Sequence, residues 1–530
     1  MTISAREILD QKAPPPAPNP ALALQRRLQA SVENPSWKTG NVDPEVDHLL
    51  SPEAQEIADS LRDDGISVQV LAGTVRFTDL CILVFGALGS GISYLDVIGT
   101  DLRLASVIAI TTLLALAFMQ AADAYQVSVM RQSVSQLGRV LAAVALAFGT
   151  MIGLHTTTPF GEVASLDWIG FWFMVTAIGM TLFRTGVYFC VRHWMTQGRL
   201  ERRAVIVGGG TAAAELIHEL EAQSDNDIRI CGIFDDRAND RSPPVVAGYP
   251  KLGNINSLIE FARRARVDML IVCIPLRAEQ RVLQLLAKLW ILPVDIRLSA
   301  HTDKARFRSR GASFIGTVPF VDMVDKPIAD WDGVAKRVFD LFFATLALVA
   351  LTPVMIGTAI AIKLNSKGPI LFRQKRYGFN NEIVEVLKFR SMYTELADPD
   401  AKKVVTKNDP RVTSVGRFIR KTSIDELPQL FNVLAGSLSL VGPRPHAVNA
   451  HTDNKTWDEV VDGYFARHKV KPGVTGWAQI NGWRGEVDTP EKIQKRVECD
   501  VYYIENWSIL FDLKILLMTP FKLLNTENAY

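Results

Sequence analysis

Long apolar stretches dominate the first part of the chain and predict helices. Four runs lie at about 77–98, 102–122, 137–154 and 168–191. Each is near the ~20 apolar residues that a helix needs to cross the hydrocarbon core of a bilayer. We therefore predict four transmembrane helices in the segment 71–195. Buried helices of a soluble core are the alternative, but four such runs in succession are rare in soluble folds.

The charges between these runs orient the predicted helices. Basic residues lie between the second and third runs and after the fourth: Arg131, Arg139, Arg192, Arg199, Arg202 and Arg203. The opposite loops are mainly acidic: Asp96, Asp101, Glu162 and Asp167, with Arg103 as the exception. The positive-inside rule therefore places both ends of the four-helix block in the cytoplasm.

Three charged residues within these runs are not expected to form an ion pathway. Asp79, Asp123 and Arg184 lie near the ends of runs, where snorkelling to the membrane surface is sufficient. We therefore expect the four helices to act as an anchor and not as a transporter.

The segment 1–70 is polar and is expected to stay in the cytoplasm. It lacks the basic and then apolar opening of a secretory signal. Prolines between positions 14 and 20 exclude a helix there. Ser51 and Pro52 are typical of a helix start and predict a short helix to about Arg62. The rest of the segment is expected to be largely disordered.

Strand and helix patterns alternate through the segment 200–325. The predicted strands are 203–207, 228–234, 268–274 and 294–298, and the predicted helices are 211–222, 256–264 and 278–290. This alternation predicts a Rossmann-like domain with a parallel sheet. Gly208, Gly210 and Ala213 match the dinucleotide-binding fingerprint, and Asp235 follows at about the spacing of a ribose-binding acid.

Two alternatives remain for this Rossmann-like domain. It could keep the glycine turn for packing alone and bind nothing. It could also be the catalytic domain of a membrane-bound nucleotide-sugar dehydratase or epimerase. Such enzymes need a Tyr-x-x-x-Lys proton relay, and Tyr249 and Lys251 have the wrong spacing, which disfavours this alternative.

The segment 330–530 begins with a fifth apolar run, at 338–362. Basic residues flank both of its ends, and Thr352 and Pro353 lie in its middle, where proline removes a helix hydrogen bond. We predict a re-entrant hairpin that enters one leaflet and returns. A last apolar stretch, 507–524, is expected in the membrane interface, with ordinary core packing as the alternative.

Composition and charge exclude several classes of protein. The 58 Lys and Arg residues nearly balance the 56 Asp and Glu residues, which argues against a nucleic-acid coat protein. Five scattered cysteines form no C-x-x-C pair, so neither a disulfide framework nor a zinc site is expected.

Cations are dense in the segment 330–530, and many of them lie beside turn residues. Arg417 follows Gly416, Arg444 lies between Pro443 and Pro445, and Lys471 precedes Pro472 and Gly473. Arginine held on a rigid turn suits bidentate recognition of phosphate. A solvated basic face or a patch for anionic lipids is the alternative.

The acidic pair Asp425-Glu426 is the centre of the candidate chemistry. Ser423 and Glu426 have the spacing of a capping box, so a structural helix cap is one interpretation. The other is a phosphate site beside Arg420 and Lys421, in which a carboxylate attacks phosphorus.

Several motifs together resemble the bacterial sugar transferase family, the monotopic polyprenyl-phosphate phosphoglycosyl transferases. They are Lys388-Phe389-Arg390-Ser391-Met392, Asp425-Glu426, Gly442-Pro443-Arg444-Pro445 and Lys471-Pro472-Gly473-Val474-Thr475-Gly476-Trp477. Four spans followed by a Rossmann-like domain resemble the large subclass of this family. The segments 481–486 and 528–530 look most like undecaprenyl-phosphate glucose phosphotransferases. Thr352-Pro353 departs from the frequent Ser-Pro of the family but keeps the hydroxyl.

The resemblance implies a covalent mechanism. Asp425 would attack the β-phosphorus of a UDP-sugar, which in this subclass is expected to be UDP-glucose, and release UMP. Undecaprenyl phosphate would then take the sugar phosphate. Glu426 would be the acid/base or metal-positioning partner, and the two carboxylates would bind Mg²⁺. Arg444, with its flanking prolines, would contact the substrate.

Lys388, Arg390 and Arg420 would be further substrate contacts by the same resemblance. The enzyme would lie in the bacterial inner membrane, with its catalytic domain on the cytoplasmic face, and would prime an exopolysaccharide repeat unit. Alternatives are galactose 1-phosphate as the transferred group, a membrane scaffold with an inactive transferase fold, and a nucleotide sensor that uses the Gly208 loop. Nucleic acid is not an expected partner, and a homodimer stays open.

Overall fold

The computed structural model describes most of the chain. The described residues are 50–61, 65–94, 102–157, 165–223, 228–237, 242–274, 278–299, 312–315, 318–394, 409–446, 451–452, 455–457, 461, 463–483, 485 and 489–524. The expected disorder of residues 1–49 and the motif at 528–530 lie outside the described residues, as does part of the motif at 481–486.

Helices α1 to α6 make up the first part of the chain. Their bounds are α1 Pro52–Ser60, α2 Val68–Tyr94, α3 Leu102–Ala121, α4 Val127–Met130, α5 Ser133–Thr157 and α6 Leu166–Thr196. The four long helices α2, α3, α5 and α6 lie over the four predicted apolar runs. They share one core that includes Leu83, Met119, Phe148 and Trp172, while large apolar side chains such as Leu182 face outward.

A buried ion pair joins α2 and α6. The carboxylate of Asp79 lies 2.5 Å from the guanidinium of Arg184, and both side chains are fully buried. Arg184 also donates to the carbonyl of Ala124 at 3.0 Å. The prediction that these charges reach the membrane surface is therefore wrong. Each charge would be costly to bury alone, so packing brings the two together.

Helix α1 packs onto the sheet domain that follows α6. Ser51 caps it as predicted, by accepting from Ala54 N, and Ala54, Ala58 and Leu61 belong to the core of that domain. The guanidinium of Arg203 donates to the carbonyl of Leu61 at 2.7 Å. The segments before α2 and after α6 therefore lie at the same end of the helical block.

The middle domain is a parallel-dominated mixed sheet with helices on both faces. Its elements are β1 Arg202–Val207, α7 Thr211–Glu221, β2 Ile228–Phe234, β3 Val245–Val246, β4 Tyr249–Gly253, α8 Ile255–Arg264, β5 Met269–Val272, α9 Glu279–Leu289, β6 Asp295–Ser299, β7 Ala312–Ile315 and β8 Val318–Val324. The strand order is β3-β4-β2-β1-β5-β6-β8-β7. Strands β4, β2, β1, β5 and β6 run parallel, and β3, β7 and β8 are antiparallel to their neighbours.

The C-terminal part begins with the helix α10 Asp330–Asn365. It is helical over 36 residues and contains Pro353. The Thr352 hydroxyl donates to the carbonyl of Leu348 at 2.6 Å, in the turn where proline lacks its N–H. Helix α10 is longer than the predicted run, and with α2, α3, α5 and α6 it makes five helices among the described residues that are long and apolar enough to cross a membrane.

Short strands and mostly short helices follow α10. They are β9 Leu371–Tyr377, β10 Ile383–Phe389, α11 Ser414–Lys421, α12 Gln429–Ala435, β11 Ser439–Val441, β12 His451–Thr452, β13 Lys455–Thr456, β14 Gly473–Thr475, α13 Trp477–Ile480, α14 Pro490–Glu505 and α15 Ile509–Leu524. One core, which includes Ala344, Val433, Val441 and Ile515, joins α10, α12, β11 and α15. Helix α15 contributes to this core on one side and exposes Leu510, Leu517 and Phe521 on another.

Candidate active site

The two acidic residues lie in a one-turn 3-10 helix, Ile424–Glu426, between α11 and α12. Ser423 before it is left-handed, with φ 60°, and makes no side-chain cap hydrogen bond to this turn. Helix α12 itself begins only at Gln429. The capping-box interpretation of Ser423 and Glu426 is therefore wrong, because neither side chain satisfies the turn in that way.

Glu426 is held by two cations. Its Oε1 lies 3.0 Å from Lys388 Nζ, and its Oε2 accepts from Arg444 at 3.1 Å. A second Arg444 nitrogen also contacts Oε1, which makes the pair bidentate. Burial would raise the pKa of Glu426, but Arg444 and Lys388 together hold it well below its usual value.

Asp425 has a different environment from its neighbour. Within the described part of the chain, its carboxylate makes no hydrogen bond or ion pair. Burial, and then the charge of Glu426, raise the pKa of Asp425 to about 6, against the opposing charges of Lys388, Arg420 and Arg444. Asp425 is thus an ionisable carboxylate without a fixed partner, close to three cations.

Arg444 lies on a loop whose backbone is held on several sides. The carbonyl of Pro443 accepts from Gly473 N at 2.9 Å, and that of Pro445 accepts from Arg376 at 2.8 Å. The carbonyl of Arg444 accepts from Arg467 at 2.8 Å. Because its backbone is fixed, Arg444 can present its guanidinium with little loss of conformational freedom.

Close backbone contact explains why two glycine-containing motifs accompany this loop. Strands β11 and β14 pair in parallel, which brings Gly442 beside the segment Lys471–Gly473. A Cβ atom at Gly442 would lie 2.6 Å from the carbonyl of Lys471, and Cβ atoms at Gly473 and Gly476 would collide with the backbone of Gly442. The two motifs, distant in sequence, therefore form one structural unit behind Arg444.

Arg467 and Asp500 support this loop and were not predicted from the sequence. Their side chains form an ion pair of 2.6 Å and are 1% and 2% exposed. Burial raises the pKa of Asp500 to about 6, although Arg467 and Arg496 oppose that shift. Neither residue lies in a turn or beside another predicted site residue, so the sequence carries no local signal for them. Arg376 is the third missed residue, and the alternation along β9 does not distinguish it from its exposed neighbours.

The other predicted substrate residues divide into two groups. Lys388 and Arg420 lie with the acidic pair, Arg420 through its charge on Asp425. Arg390 instead donates to the carbonyl of Ser366 at 2.8 Å and to Thr394 Oγ1 at 2.6 Å. It joins the end of α10 to the end of β10, so the structure gives no support to a substrate contact by Arg390.

The glycine turn after β1 is largely satisfied by the protein itself. Gly208 and Gly210 are both left-handed, with φ 97° and 93°. Asp235 accepts from Gly209 N at 2.6 Å and from Arg237 Nε at 2.9 Å, while Arg237 donates to the Gly209 carbonyl. Burial raises the pKa of Asp235, but the bonds from Arg237 and Gly209 lower it further, to a net value below its usual one.

A cavity of about 150 Å³ lies beside this turn, at the carboxyl ends of β1, β2 and β5. Val207, Asp236, Cys273 and Arg281 line it together with Gly208 and Asp235. Because Asp235 is already paired, this geometry favours a packing role for the turn over a ribose contact. Tyr249 and Lys251 bind Glu221 and the Arg237 carbonyl, which adds nothing in favour of a proton relay.

The site offers few protein ligands for a metal ion. Among the described residues, no group of three or more His, Cys, Asp or Glu side chains could hold one. Both oxygens of Glu426 are paired with cations, which leaves Asp425 as the carboxylate with free lone pairs. The residues present therefore fit an ion that has one protein carboxylate and takes its other ligands from substrate and water.

Two family models match the chain. A bacterial sugar transferase model matches residues 331–526, which contain the acidic pair and its cations. A CoA-binding domain model matches residues 120–300, which contain the glycine turn and its cavity.

Curated relatives match longer segments. The chain is 38% identical over 375 residues to an undecaprenyl-phosphate glucose phosphotransferase of Komagataeibacter xylinus, over 70% of this chain and 68% of the relative. It is 39% identical over 366 residues to the UDP-glucose:undecaprenyl-phosphate glucose-1-phosphate transferase of Escherichia coli strain K12, over 68% of this chain and 75% of the relative. A shorter match, 40% identical over 185 residues, is to a UDP-N-acetylgalactosamine-undecaprenyl-phosphate N-acetylgalactosaminephosphotransferase of Aeromonas hydrophila, over 35% of this chain and 42% of the relative.

Proposed function

The chain belongs to the bacterial sugar transferase family, and from that membership we propose that it transfers glucose 1-phosphate from UDP-glucose to undecaprenyl phosphate and releases UMP. The two long matches, both to glucose 1-phosphate transferases, support glucose over galactose. The geometric observation that carries the proposal is the carboxylate of Asp425, which has no partner among the described residues and lies beside Glu426, which two cations hold.

The proposed reaction has two displacements at the same phosphorus. A carboxylate oxygen of Asp425 attacks the β-phosphorus of UDP-glucose, the bond from that phosphorus to the bridging oxygen breaks, and UMP leaves. A phosphate oxygen of undecaprenyl phosphate then attacks the glucosyl-phosphoryl-aspartate. The acyl phosphate bond breaks, Asp425 returns as a carboxylate, and undecaprenyl diphosphate glucose is the product.

Glu426 orients cations in this scheme and does not take a proton. Its low pKa and bidentate pairing with Arg444 keep it ionised. With Asp425 also ionised, the site has two more positive than negative charges. The positive charges belong to Lys388, Arg376, Arg420 and Arg444, and the negative charges belong to the two carboxylates. This excess matches the two negative charges of a nucleoside diphosphate sugar and offsets the charge on the leaving UMP.

We include Mg²⁺ in the proposal, with Asp425 as its protein ligand. Glu426 fits this role less well than the sequence suggested, because Lys388 and Arg444 engage both of its oxygens. When bound, the ion would supply further positive charge near the phosphates of the donor.

A bend in α10 is part of the proposal, because it would return the chain to the same membrane face. A straight helix would separate Arg337 from Ile362 by about 37 Å at about 1.5 Å per residue. Yet Arg337 donates to the carbonyl of Val433, next to Asn432, which binds Leu387 N. Leu387 is two residues from Phe389, which shares a buried cluster with Ile362. Both halves of α10 thus pack against one connected set of elements, as a bend near Pro353 would allow.

The same topology would keep the active site on the cytoplasmic face of the inner membrane. Helix α10 begins beside α2, where Trp331 Nε1 donates to the carbonyl of Gln69 at 3.3 Å. Large apolar side chains of α10, among them Phe342, Val349 and Ile360, are exposed and suited to lipid. A water-soluble donor and a lipid acceptor could then meet at Asp425, and the product would prime an exopolysaccharide repeat unit.

The first experiment compares the wild type with Asp425→Asn in detergent, with UDP-glucose, Mg²⁺ and undecaprenyl phosphate. The wild type is expected to release UMP and, without acceptor, to carry a glucose-phosphate adduct in intact-mass spectra. Asp425→Asn should lose both signals, whereas the exposed control Glu498→Gln should keep them. Turnover retained by Asp425→Asn would contradict the proposed nucleophile. A preference for UDP-galactose would change the sugar and leave the mechanism.

The membrane topology of α10 is tested separately. Single cysteines placed at exposed positions in the first turn of α10 and after its end, for example at Asp332 and Lys375, are labelled in intact spheroplasts and in opened membranes. Both are expected to react only after the membrane is opened. A label at position 375 from the outside would contradict the re-entrant arrangement.

A further inference from the structure

Strand β10 carries Lys388 and, among the residues that the structure describes, has one neighbouring strand. It pairs antiparallel with β9 along one edge. On its other edge, the side chain of Asn432 takes the place of a strand. Its Oδ1 accepts from Leu387 N at 2.9 Å, and its Nδ2 donates to the carbonyl of Glu385 at 2.8 Å. A side-chain amide presents a donor and an acceptor side by side, as the N–H and C=O of one residue do along the edge of a strand.

The orientation of this amide is determined by its partners. Leu387 N can only donate and the Glu385 carbonyl can only accept, so the reversed amide would lose both bonds. Nδ2 also donates to Ser437 Oγ at 3.1 Å, and Asn432 is 7% exposed. Burial makes each of these bonds costly to leave unmade.

The helix that carries Asn432 is itself anchored. Arg337 of α10 donates to the carbonyls of Val433 and Leu434 at 2.6 and 2.7 Å. Gly436, left-handed with φ 88°, ends α12 by donating to the carbonyl of Asn432. Asn432 is therefore attached to a helix that the membrane segment holds in place.

Asn432 joins β10 to α12, and both of these elements lie next to the acidic pair. Lys388 follows Leu387 in β10, and its Nζ lies 3.0 Å from Glu426 Oε1. Glu426 precedes α12 by a short turn and also holds Arg444. One side chain thus determines the separation between the strand that carries Lys388 and the turn that carries Asp425 and Glu426.

We propose that Asn432 is a positioning residue for the transfer reaction. By binding the second edge of β10 in place of a strand, it sets Lys388 against Glu426 and so fixes the positions of the cations around Asp425. The proposal rests on the proposed function. Asn432 does not touch the reacting groups, and it acts through Lys388. Misplacement of a catalytic contact by about 1 Å can lower a rate about 10²-fold, so a small shift of β10 is sufficient.

The test uses the full chain in detergent and four variants: Asn432→Asp, Asn432→Ala, Lys388→Ala and the double variant Asn432→Ala/Lys388→Ala. Asn432→Asp keeps the size of the side chain but places an acceptor against the Glu385 carbonyl. Ser437→Ala is the matched control, because it removes a neighbouring bond to Asn432 without touching β10. UMP release from UDP-glucose gives kcat and KM, and thermal unfolding monitors the fold.

Asn432→Asp is expected to lower kcat about tenfold to hundredfold, with a smaller change in KM for UDP-glucose. The buried bond that it loses should also lower the melting midpoint, so kcat is measured at a temperature at which the variant is fully folded. The double variant is expected to be no slower than Lys388→Ala, because both changes remove the same interaction. Ser437→Ala should stay within about twofold of the wild type.

Three results would overturn the proposal. One is an Asn432→Asp enzyme within twofold of the wild type. Another is a double variant whose loss in kcat is the product of the two single losses, which indicates a general structural role. The third is a loss of kcat in Asn432→Asp that disappears at temperatures at which the variant is fully folded. None of these three results depends on the identity of the nucleophile. The proposed function is decided separately, by turnover of the wild type and its loss in Asp425→Asn.

Discussion

Asp425 and Glu426 are adjacent in the chain, but their carboxylates differ in every contact that matters for reactivity. Glu426 is bound by Lys388 and Arg444, and Asp425 is unpaired among the described residues. The pKa values of the two groups move in opposite directions for this reason. This difference in pKa suits Asp425 to attack phosphorus and Glu426 to hold the surrounding cations.

The raised pKa of Asp425 predicts an acid limb in the rate of the first displacement. Only the ionised carboxylate is a nucleophile, and without a metal ion protonation dominates below its pKa of about 6. At low Mg²⁺ the rate of UMP release in a single turnover should therefore fall about tenfold for each pH unit below about 6. Mg²⁺ bound to Asp425 would compete with the proton, so the limb should move to lower pH as Mg²⁺ is raised. Rapid-quench assays between pH 5 and 8 at several Mg²⁺ concentrations measure it, and a rate independent of both pH and Mg²⁺ would contradict the assignment.

The sequence motifs predicted one site that contains Asp425, Glu426, Lys388, Arg420 and Arg444. The same reasoning expected a substrate role for Arg390, which instead joins α10 to β10. It also missed Arg467 and Asn432. Arginine and asparagine are common residues, and only their partners, distant in sequence, distinguish a supporting residue from an exposed one.

At the scale of elements, helix α11 depends on a glycine near its start. A Cβ atom at Gly416 would collide with the carbonyl of Ser391, and Gly416 N donates to the N-cap side chain, Thr413 Oγ1, at 2.9 Å. The helix can therefore pack against the segment after β10 only without a side chain at this position. Arg420 lies one turn further along α11, so this contact also sets its distance from Asp425.

Gly416→Ala is expected to displace α11 and to lower turnover at least about tenfold, because Arg420 would move with the helix. UMP release and the melting midpoint are measured together. Gly149→Ala in α5 is the matched control, since no atom lies within 4 Å of its new Cβ and alanine favours a helix. Equal effects of the two changes would contradict the packing argument.

Helix α10 shows how an element can be predicted in type and not in extent. Its apolar composition indicated a membrane helix, and the structure extends it to 36 residues with Pro353 inside. The predicted interruption rested on the missing N–H of proline. The helix nevertheless continues through that turn, where the Thr352 hydroxyl donates to the Leu348 carbonyl. The bend and the return to one membrane face stay a prediction.

At the scale of the whole molecule, the helical block, the sheet domain and the transferase part contact one another. Helix α1 packs into the core of the sheet domain, and Trp331 of α10 packs against Gly73 of α2. Asn380, in the turn between β9 and β10, donates to the carbonyl of Ala262 in α8 at 3.0 Å. The turn that links the two active-site strands thus lies against the sheet domain.

The buried Asp79–Arg184 pair predicts an asymmetric response to mutation. Arg184→Leu would leave Asp79 buried without its partner, a defect that costs about 3–5 kcal/mol for such pairs. Asp79→Leu combined with Arg184→Leu would remove both charges and should be better tolerated. Melting midpoints in detergent measure the order, with the surface change Arg192→Leu as control. A double variant less stable than Arg184→Leu would contradict it.

The sequence by itself determined the kinds of elements and the reaction class, because apolar periodicity and contiguous motifs are local properties of the chain. It predicted the apolar helices, a parallel sheet and the acidic pair, but not the antiparallel strands β3, β7 and β8 that make the sheet mixed. Tertiary structure alone decided which charges meet. Lys388, Glu426 and Arg444 converge from three separate segments, Asp79 finds Arg184 across two helices, and Asn432 completes the edge of β10. The physical reason is that an unpaired polar group is costly to bury. The fold is therefore stable only when such a group meets a partner, however far away that partner lies in the sequence.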